Sequence, residues 1–140
     1  GWYLRSDIVW HKPNCQPESV KDRPTRAHEY IFLLSKSEKY YYDSGAVMEP
    51  AKGLRKRRNR RTVWSINTMP NSHAHFATFP PELVEPCVLA STQPDDLVLD
   101  PFFGSGTVGE VCLALSRRFV GIEISEEYLS LAKQRLCWQE

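Results

Sequence analysis

The chain has 140 residues, 41% of them hydrophobic, which is the size of one domain with a buried core. It contains no apolar run of about 18 residues or more, which excludes a membrane-spanning helix. The net charge is only +1, but residues 50–81 hold seven basic and no acidic side chains, whereas residues 82–140 hold four basic and ten acidic ones. This asymmetry indicates a local contact with a polyanion.

The first zone, residues 1–43, is predicted to consist of strands and loops. Residues 4–10 have the content of a strand, residues 12–24 form a proline-containing loop, and residues 30–34 form a short apolar run typical of a buried strand. The three tyrosines at 40–42 predict an edge strand. The four cysteines are scattered without a Cys-x-x-Cys pair, which favours reduced thiols in a cytosolic, cytoplasmic protein and no metal site.

The second zone, residues 44–78, lacks periodicity and is predicted to be a basic loop or an inserted element. Its charge could belong to a solvated loop or to a nucleic-acid contact, in which each basic residue on a phosphate releases a counterion. The basic side chains are Lys52, Arg55, Lys56, Arg57, Arg58, Arg60 and Arg61.

The third zone, residues 79–140, has a regular α/β pattern. Pro80 and Pro81 open a helix that runs to about Ser91, although Pro86 favours a later start near Glu85, because proline is tolerated only in a first turn. Two parallel strands joined by a right-handed crossover are expected next, with further strands of the sheet supplied by the first zone. The predicted elements are strand 97–100, helix 106–116, strand 119–124 and a final helix capped by Ser125.

A glycine loop separates the first strand of this zone from its helix. Gly104 and Gly106 allow backbone amides to approach a ligand, and the helix N-terminus that follows favours an anionic group. The second strand ends at Glu123, where a carboxylate can accept hydrogen bonds from ribose hydroxyls, as in nucleotide-binding βαβ units. A plain structural turn with core aromatics is the alternative.

Three sequence segments carry a family resemblance. Asp-Pro-Phe-Phe-Gly-Ser-Gly-Thr at 100–107, Gly-Ile-Glu at 121–123 and the Tyr-Leu-x-Leu-Ala-x-x-Arg-Leu pattern at 128–136 resemble the beta-class DNA amino-methyltransferases. That class transfers a methyl group from S-adenosylmethionine to adenine N6 or cytosine N4. Residues 75–80 resemble its first cofactor motif, and residues 10–14 and 26–36 resemble segments that follow its catalytic motif. The resemblance implies an incomplete Rossmann-like α/β methyltransferase fold, an S-adenosyl-L-methionine cofactor and double-stranded DNA as partner.

The resemblance also implies roles for individual residues. It places Asp100 near the cofactor's ammonium group and Glu123 on its ribose. The other implied cofactor contacts are Phe79, Pro80, Phe102, Phe103, Gly104, Ser105, Gly106 and Thr107. The implied DNA contacts are Lys12, Asn14, Arg55, Lys56, Arg57, Arg58, Arg60 and Arg61, although a hydrogen-bonded turn accounts equally well for the first two.

One motif of the resembled family is absent from this sequence. The catalytic tetrapeptide, which is Asp, Asn or Ser, then Pro-Pro, then an aromatic residue, occurs nowhere in the 140 residues. The chain is therefore predicted to be a single methyltransferase-domain fragment without catalytic residues and without turnover on its own.

Three further expectations concern the intact protein. A missing upstream part of the same enzyme would complete the site and supply strands, and a homodimer is left open. Adenine N6 is favoured over cytosine N4 as the target. The alternative is a non-catalytic nucleic-acid-binding remnant of such an enzyme.

Overall fold

The computed structural model describes residues 1–53, 56–69 and 79–137. The chain forms two compact units. The first comprises Gly1–Tyr40 with Met48–Pro80, and the second comprises Tyr41–Val47 with Pro81–Glu140. In the described ranges, no helix has both the length and the apolar character that crossing a membrane requires.

The described residues of the first unit form five strands, three of which make one sheet in the order β2-β1-β5. Strand β1 is central and pairs antiparallel with β2 and parallel with β5, where Trp10 lies beside Trp64. Strands β3 and β4 form a separate two-residue antiparallel ladder. The strands are β1 (Tyr3–His11), β2 (His28–Ser35), β3 (Glu49–Pro50), β4 (Arg57–Arg58) and β5 (Val63–Ser65).

The two neighbouring tryptophans form the buried side of this sheet. Trp10 is 4% exposed and Trp64 is 8% exposed. Their indole N–H groups donate to the carbonyl oxygens of Ile66 at 2.8 Å and Arg61 at 2.7 Å. Each ring therefore buries its apolar surface while its polar atom keeps a partner. The tryptophans therefore belong to the core of the first unit.

Two predictions for the first zone are wrong. The run at 30–34 forms part of β2, but one of its faces is open, because Tyr30, Phe32 and Leu34 are 56%, 57% and 47% exposed. Tyr40–42 form no strand. The chain passes from the first unit into the second at Tyr41, so these residues form a connection. Strand β5 was not predicted, because three residues are too short for a periodic pattern.

The second unit is built on a βαβ arrangement. Strands β6 and β7 pair in parallel from Leu97↔Arg118 to Asp100↔Gly121, which confirms the predicted parallel pairing. The elements are α1 (Pro81–Ser91), β6 (Leu97–Asp100), α2 (Thr107–Ala114), β7 (Arg118–Gly121) and α3 (Glu126–Arg135).

The core of the second unit lies on one face of the β6–β7 pair. Helices α1 and α2 contribute Val84, Val88, Val111 and Cys112, with Cys112 fully buried as a small apolar side chain. Val98 and Phe119 from the strands pack against this cluster. On the opposite face, Leu97, Leu99 and Val120 are 57%, 61% and 46% exposed.

Two predictions for the third zone require correction. Helix α1 begins at Pro81 and keeps Pro86 inside it, beyond the first turn, where Pro86 is buried although it supplies no N–H to the helix. Within the described residues, no strand of the first zone extends the β6–β7 pair. Strand β1 cannot do so because both of its edges are already paired.

Helix α3 has the predicted cap. The Ser125 hydroxyl accepts a hydrogen bond from the backbone N–H of Tyr128 at 3.4 Å. Acidic residues occupy its first turn and basic residues its last turn, which suits the helix dipole. Ala132 is 1% exposed, and a side chain at Gly106 would meet it at 3.2 Å, so this helix packs directly against the glycine loop.

Candidate functional site

The glycine loop lies where strands β6 and β7 end, the edge at which parallel sheets bind ligands. Gly104 has φ +53° and Gly106 has φ +84°, which side chains disfavour. The backbone N–H of Phe103 donates to the Ile122 carbonyl at 2.9 Å, so the parallel register continues beyond the strands. The loop is thus held against the segment that follows β7.

Glu123 binds the loop through both oxygens of its carboxylate. Oε2 accepts the Gly104 N–H at 2.7 Å and Oε1 accepts the Ser125 N–H at 2.8 Å. These hydrogen bonds, the Ser125 bond foremost, hold the pKa of Glu123 below its ordinary value and outweigh partial burial, which raises it. Glu123 is therefore a carboxylate at neutral pH that couples the glycine loop to the start of α3.

The carboxylate of Glu123 retains capacity for a ligand. Its two oxygens offer about four acceptor positions, of which the Gly104 and Ser125 amides fill two, and the Ile124 amide adds a weaker hydrogen bond. The sequence assigned Glu123 to ribose binding but did not predict the bond to Gly104, which joins residues 19 positions apart. Because the Gly104 amide donates to Glu123, it is not offered to a ligand, and Gly104 contributes the turn instead.

The acid that ends β6 is also tied to the loop. Asp100 is half-buried, and its Oδ1 accepts the backbone N–H of Phe102 at 3.0 Å. The Phe102 side chain is 87% exposed. Phe102 is therefore the loop aromatic that remains available to cover a ligand.

Phe103 occupies the core instead of the open surface. It is 7% exposed and stacks on Phe119 with ring centroids 5.4 Å apart. A Cβ at Gly109 or Gly121 would lie 2.8 or 2.4 Å from the Phe103 ring. These two glycines create a slot for the ring. The sequence analysis did not predict this slot, although Gly109 lies in the predicted helix and Gly121 in the Gly-Ile-Glu segment.

The two hydroxyl residues of the loop share one partner. Ser105 is half-buried, and Thr107, the first residue of α2, is 5% exposed. Arg135 Nη1 donates to Thr107 Oγ1 at 3.0 Å and to Ser105 Oγ at 3.4 Å. The sequence analysis included Arg135 in the motif at 128–136 without assigning it to the site.

Phe79 and Pro80 end the first unit, whereas the glycine loop belongs to the second. Pro80 is fully buried and Phe79 is 40% exposed. Their assignment to the cofactor site stays a prediction. The rest of the predicted motif, at His75 and Ala77, lies outside the described residues, as does Arg55.

The basic segment of the first unit is organised around one acid. Glu49 Oε1 accepts from Arg58 Nε at 2.8 Å and from Arg61 Nε at 2.6 Å. Arg57 donates to the Met48 carbonyl at 2.9 Å, and the Arg60 guanidinium lies 4.4 Å from the centre of the Trp64 ring. The four arginines therefore carry internal contacts that the charge count did not reveal.

The ion pairs with Arg58 and Arg61 keep Glu49 ionised, and two lysines of the same segment are exposed. Burial alone raises the pKa of Glu49, but hydrogen bonds from Arg58 and Arg61 outweigh it and hold the pKa below its ordinary value. Lys52 and Lys56 are exposed, and among the described residues neither has an ion pair. Among the described residues of this segment, these two lysines are available to a polyanion without breaking an ion pair.

Lys12 and Asn14 are occupied within the first unit. The Lys12 ammonium pairs with Glu29 and lies 4.4 Å from the centre of the Trp10 ring. Asn14 donates to the Thr68 carbonyl at 2.9 Å and accepts the Thr68 N–H at 2.8 Å. These contacts favour the hydrogen-bonded-turn interpretation of both residues.

Sequence comparison decides the family. A family profile described as DNA methylase matches residues 1–134. The chain belongs to this DNA methylase family. The match covers both units, so the βαβ arrangement with its glycine loop and the sheet with its basic segment are parts of one family pattern.

Curated relatives extend the match to named proteins. The chain is 66% identical over 136 residues to the type II methyltransferase M.Cfr9I of Citrobacter freundii. This alignment covers 97% of the chain and 45% of M.Cfr9I. It is 63% identical to the type II methyltransferase M.SmaI of Serratia marcescens, covering 97% of the chain and 47% of the relative. The chain spans less than half the length of these relatives.

Solved structures support the fold as that of S-adenosylmethionine-dependent methyltransferases. The PvuII DNA methyltransferase, titled cytosine-N4-specific, is 28% identical with a TM-score of 0.82 over 96% of the chain and 51% of that structure. The M1.HpyAVI–SAM complex is 29% identical with a TM-score of 0.76 over 99% of the chain and 64% of that structure.

Proposed function

We propose that this chain is the cofactor-binding part of a type II DNA amino-methyltransferase that uses S-adenosylmethionine. The observation that carries the proposal is the position of Glu123. Its ionised carboxylate stands where two parallel strands end, joins the glycine loop to helix α3, and keeps acceptor positions for the hydroxyls of a ribose. The family match and the relatives named as type II methyltransferases support the same function.

The donor set around the loop fits S-adenosylmethionine. Asp100 offers a carboxylate to the ammonium group of the amino-acid tail, and the Ser105 and Thr107 hydroxyls face the tail's carboxylate. Phe102, which is 87% exposed, packs on the ligand. Gly106 lets the loop turn tightly into α2, whose N-terminus favours an anion. Phe79 and Pro80 are proposed to close the methionine side, as the family resemblance implies.

The chemistry of the reaction needs little from this chain beyond placement. When bound, the cofactor supplies an electrophilic methyl group on sulfonium. The loop, Asp100 and Glu123 would hold its tail and ribose and would so position the cofactor for transfer to an exocyclic amine of adenine or cytosine. Fixed dipoles and charges around the site contribute the rest of the protein's share.

The basic segment is proposed to contact DNA phosphates. Lys52 and Lys56 are exposed, and Arg58 and Arg61, which Glu49 binds, belong to the same segment. Phosphate contacts position a protein on the duplex without reading sequence. Base-specific recognition and the flipping of the target base are assigned to the complete enzyme.

The amine-binding tetrapeptide of the active site is proposed to come from the remaining length of the enzyme. The chain lacks this tetrapeptide and spans 45% of M.Cfr9I. The same remaining part is proposed to cover the open faces of the two sheets, where apolar side chains such as Phe32 and Leu99 are exposed.

Calorimetric titration with S-adenosylhomocysteine, the demethylated cofactor, tests the proposed site. In the full-length protein, Glu123→Ala removes the ribose acceptors and is expected to weaken binding about tenfold or more, the worth of a hydrogen bond to a charged acceptor. Glu127→Ala, on the exposed first turn of α3, is the matched control and should bind like wild type. Equal affinities of the Glu123→Ala and wild-type proteins would contradict the assignment.

A further inference from the structure

Arg135 connects three parts of the second unit with one guanidinium group. It lies in the last turn of α3, where a cation suits the helix dipole. Its Nε and Nη2 donate to Glu110 Oε2 on α2 at 2.8 and 2.5 Å. Its Nη1 donates to Thr107 at 3.0 Å and to Ser105 at 3.4 Å. The side chain is 31% exposed, so these contacts are partly shielded from water.

The direction of these hydrogen bonds fixes what the two hydroxyls can do. A guanidinium group only donates, so the oxygens of Thr107 and Ser105 must accept from it. Each hydroxyl then has its single hydrogen left to donate. Within the part of the chain that the structure describes, neither hydroxyl donates that hydrogen to another residue. The arrangement prepares two donors for an acceptor at the loop.

The charge of Arg135 acts in the same sense. The guanidinium is always protonated at physiological pH, and Glu110 balances part of its charge. Its position beside the first residue of α2 adds positive potential to that of the helix N-terminus. Two hydroxyl donors, a helix N-terminus and a cation together favour a carboxylate over a neutral group.

We infer that Arg135 is a positioning residue for the carboxylate of the cofactor's amino-acid tail, acting through the hydroxyls of Thr107 and Ser105. The inference rests on the proposed function, because it concerns the same loop. Arg135 touches no cofactor atom in this account. Its role is to hold the two hydroxyls as donors and to fix the end of α3 against the loop.

A pair of ligands separates this role from a merely structural one. S-adenosylhomocysteine carries the amino-acid tail, whereas 5′-methylthioadenosine keeps the adenosine and lacks the tail. In the full-length protein, Arg135→Gln is expected to weaken S-adenosylhomocysteine about tenfold, as for one charge-assisted hydrogen bond, and to leave methylthioadenosine unchanged. Arg23→Gln, which removes the same charge from an ion pair with Glu18 in the first unit, is the control and should change neither affinity.

A second variant keeps the test decisive if Arg135→Gln does not fold. Thr107→Val keeps the shape of the side chain that accepts the hydrogen bond from Arg135 but removes its hydroxyl group. It is expected to produce the same selective loss for the ligand that carries the tail. An equal loss for both ligands, or no loss for either, would overturn the inference while leaving the proposed site intact. A wild-type protein that binds neither ligand would overturn the proposed function and the inference with it.

Discussion

Glu123 is the residue on which the glycine loop depends most directly. Its carboxylate accepts one amide from the loop and one from the start of α3, so it acts as a structural acceptor before any ligand binds. This double role explains why the pKa of Glu123 lies below its ordinary value. A carboxylate that remains ionised keeps both the loop geometry and the remaining acceptor positions.

The lowered pKa of Glu123 predicts a pH dependence of stability. The folded-state pKa lies below the ordinary value of 4.5, so the ionised group stabilises the fold above that value. This contribution is lost as the pH falls through the folded-state pKa. The difference in melting temperature between wild type and Glu123→Gln should therefore be constant near neutral pH and shrink below about pH 4.5. Thermal unfolding over a pH series measures it, and a difference that is independent of pH would contradict the account.

The slot around Phe103 makes a second prediction at the scale of single residues. Gly121→Ala places a methyl group 2.4 Å from the ring, so the core must shift. We expect a loss of about 1–3 kcal/mol in the free energy of unfolding, the usual cost of overpacking. Denaturant titration measures this loss.

Replacing the Phe103 ring with a smaller side chain supplies the control for this substitution. Combining Gly121→Ala with Phe103→Leu should cost less than the sum of the two single changes, because the added methyl group then has room. Strict additivity of the two changes would mean that the slot does not constrain residue 121.

Among the elements, the β3–β4 hairpin divides its basic residues into two groups. Arg58 and Arg61 share Glu49, whereas Lys52 and Lys56 have no ion pair among the described residues. Because DNA binding releases counterions, the logarithm of the affinity falls as the logarithm of the salt concentration rises. The slope is about 0.9 for each phosphate contact. Changing both lysines to glutamine should therefore lower the salt slope by up to about 1.8 units in the full-length protein.

The matched change Arg58→Gln with Arg61→Gln removes the same formal charge from the same hairpin. It should lower the salt slope less, because Glu49 already balances part of that charge. Salt-dependent DNA titrations compare the two double variants. Equal decreases would show that pairing with Glu49 is irrelevant to DNA binding, and no decrease in either variant would identify the hairpin as a solvated loop.

The βαβ elements could be predicted from the sequence because their signals are local. The glycines at 104 and 106, the short apolar runs and the Ser125 cap can each be recognised within a single turn or strand. The Glu123–Gly104 and Arg135–Thr107 contacts could not be predicted, since they join residues 19 and 28 positions apart. The three-residue strand β5 is defined by its pairing with β1 and has no pattern of its own.

For the whole molecule, the apolar pattern predicted more burial than this chain provides. The strand at 30–34 reads as buried on both faces, and Tyr30, Phe32 and Leu34 are nevertheless exposed. Leu97, Leu99 and Val120 form a similar open face on the β6–β7 pair. Strands with apolar residues on both faces are typical of sheets covered on both sides. The proposed remainder of the enzyme accounts for this excess.

Transfer of a labelled methyl group from S-adenosylmethionine to DNA tests the central claim most directly. We expect no transfer by the 140-residue chain alone, because it lacks the amine-binding tetrapeptide. Transfer should appear when the remaining part of the enzyme is added, and the same mixture made with the Glu123→Ala chain should be strongly impaired. Transfer by the chain alone, or restoration that is independent of Glu123, would contradict the account of this chain as the cofactor-binding part of a divided active site.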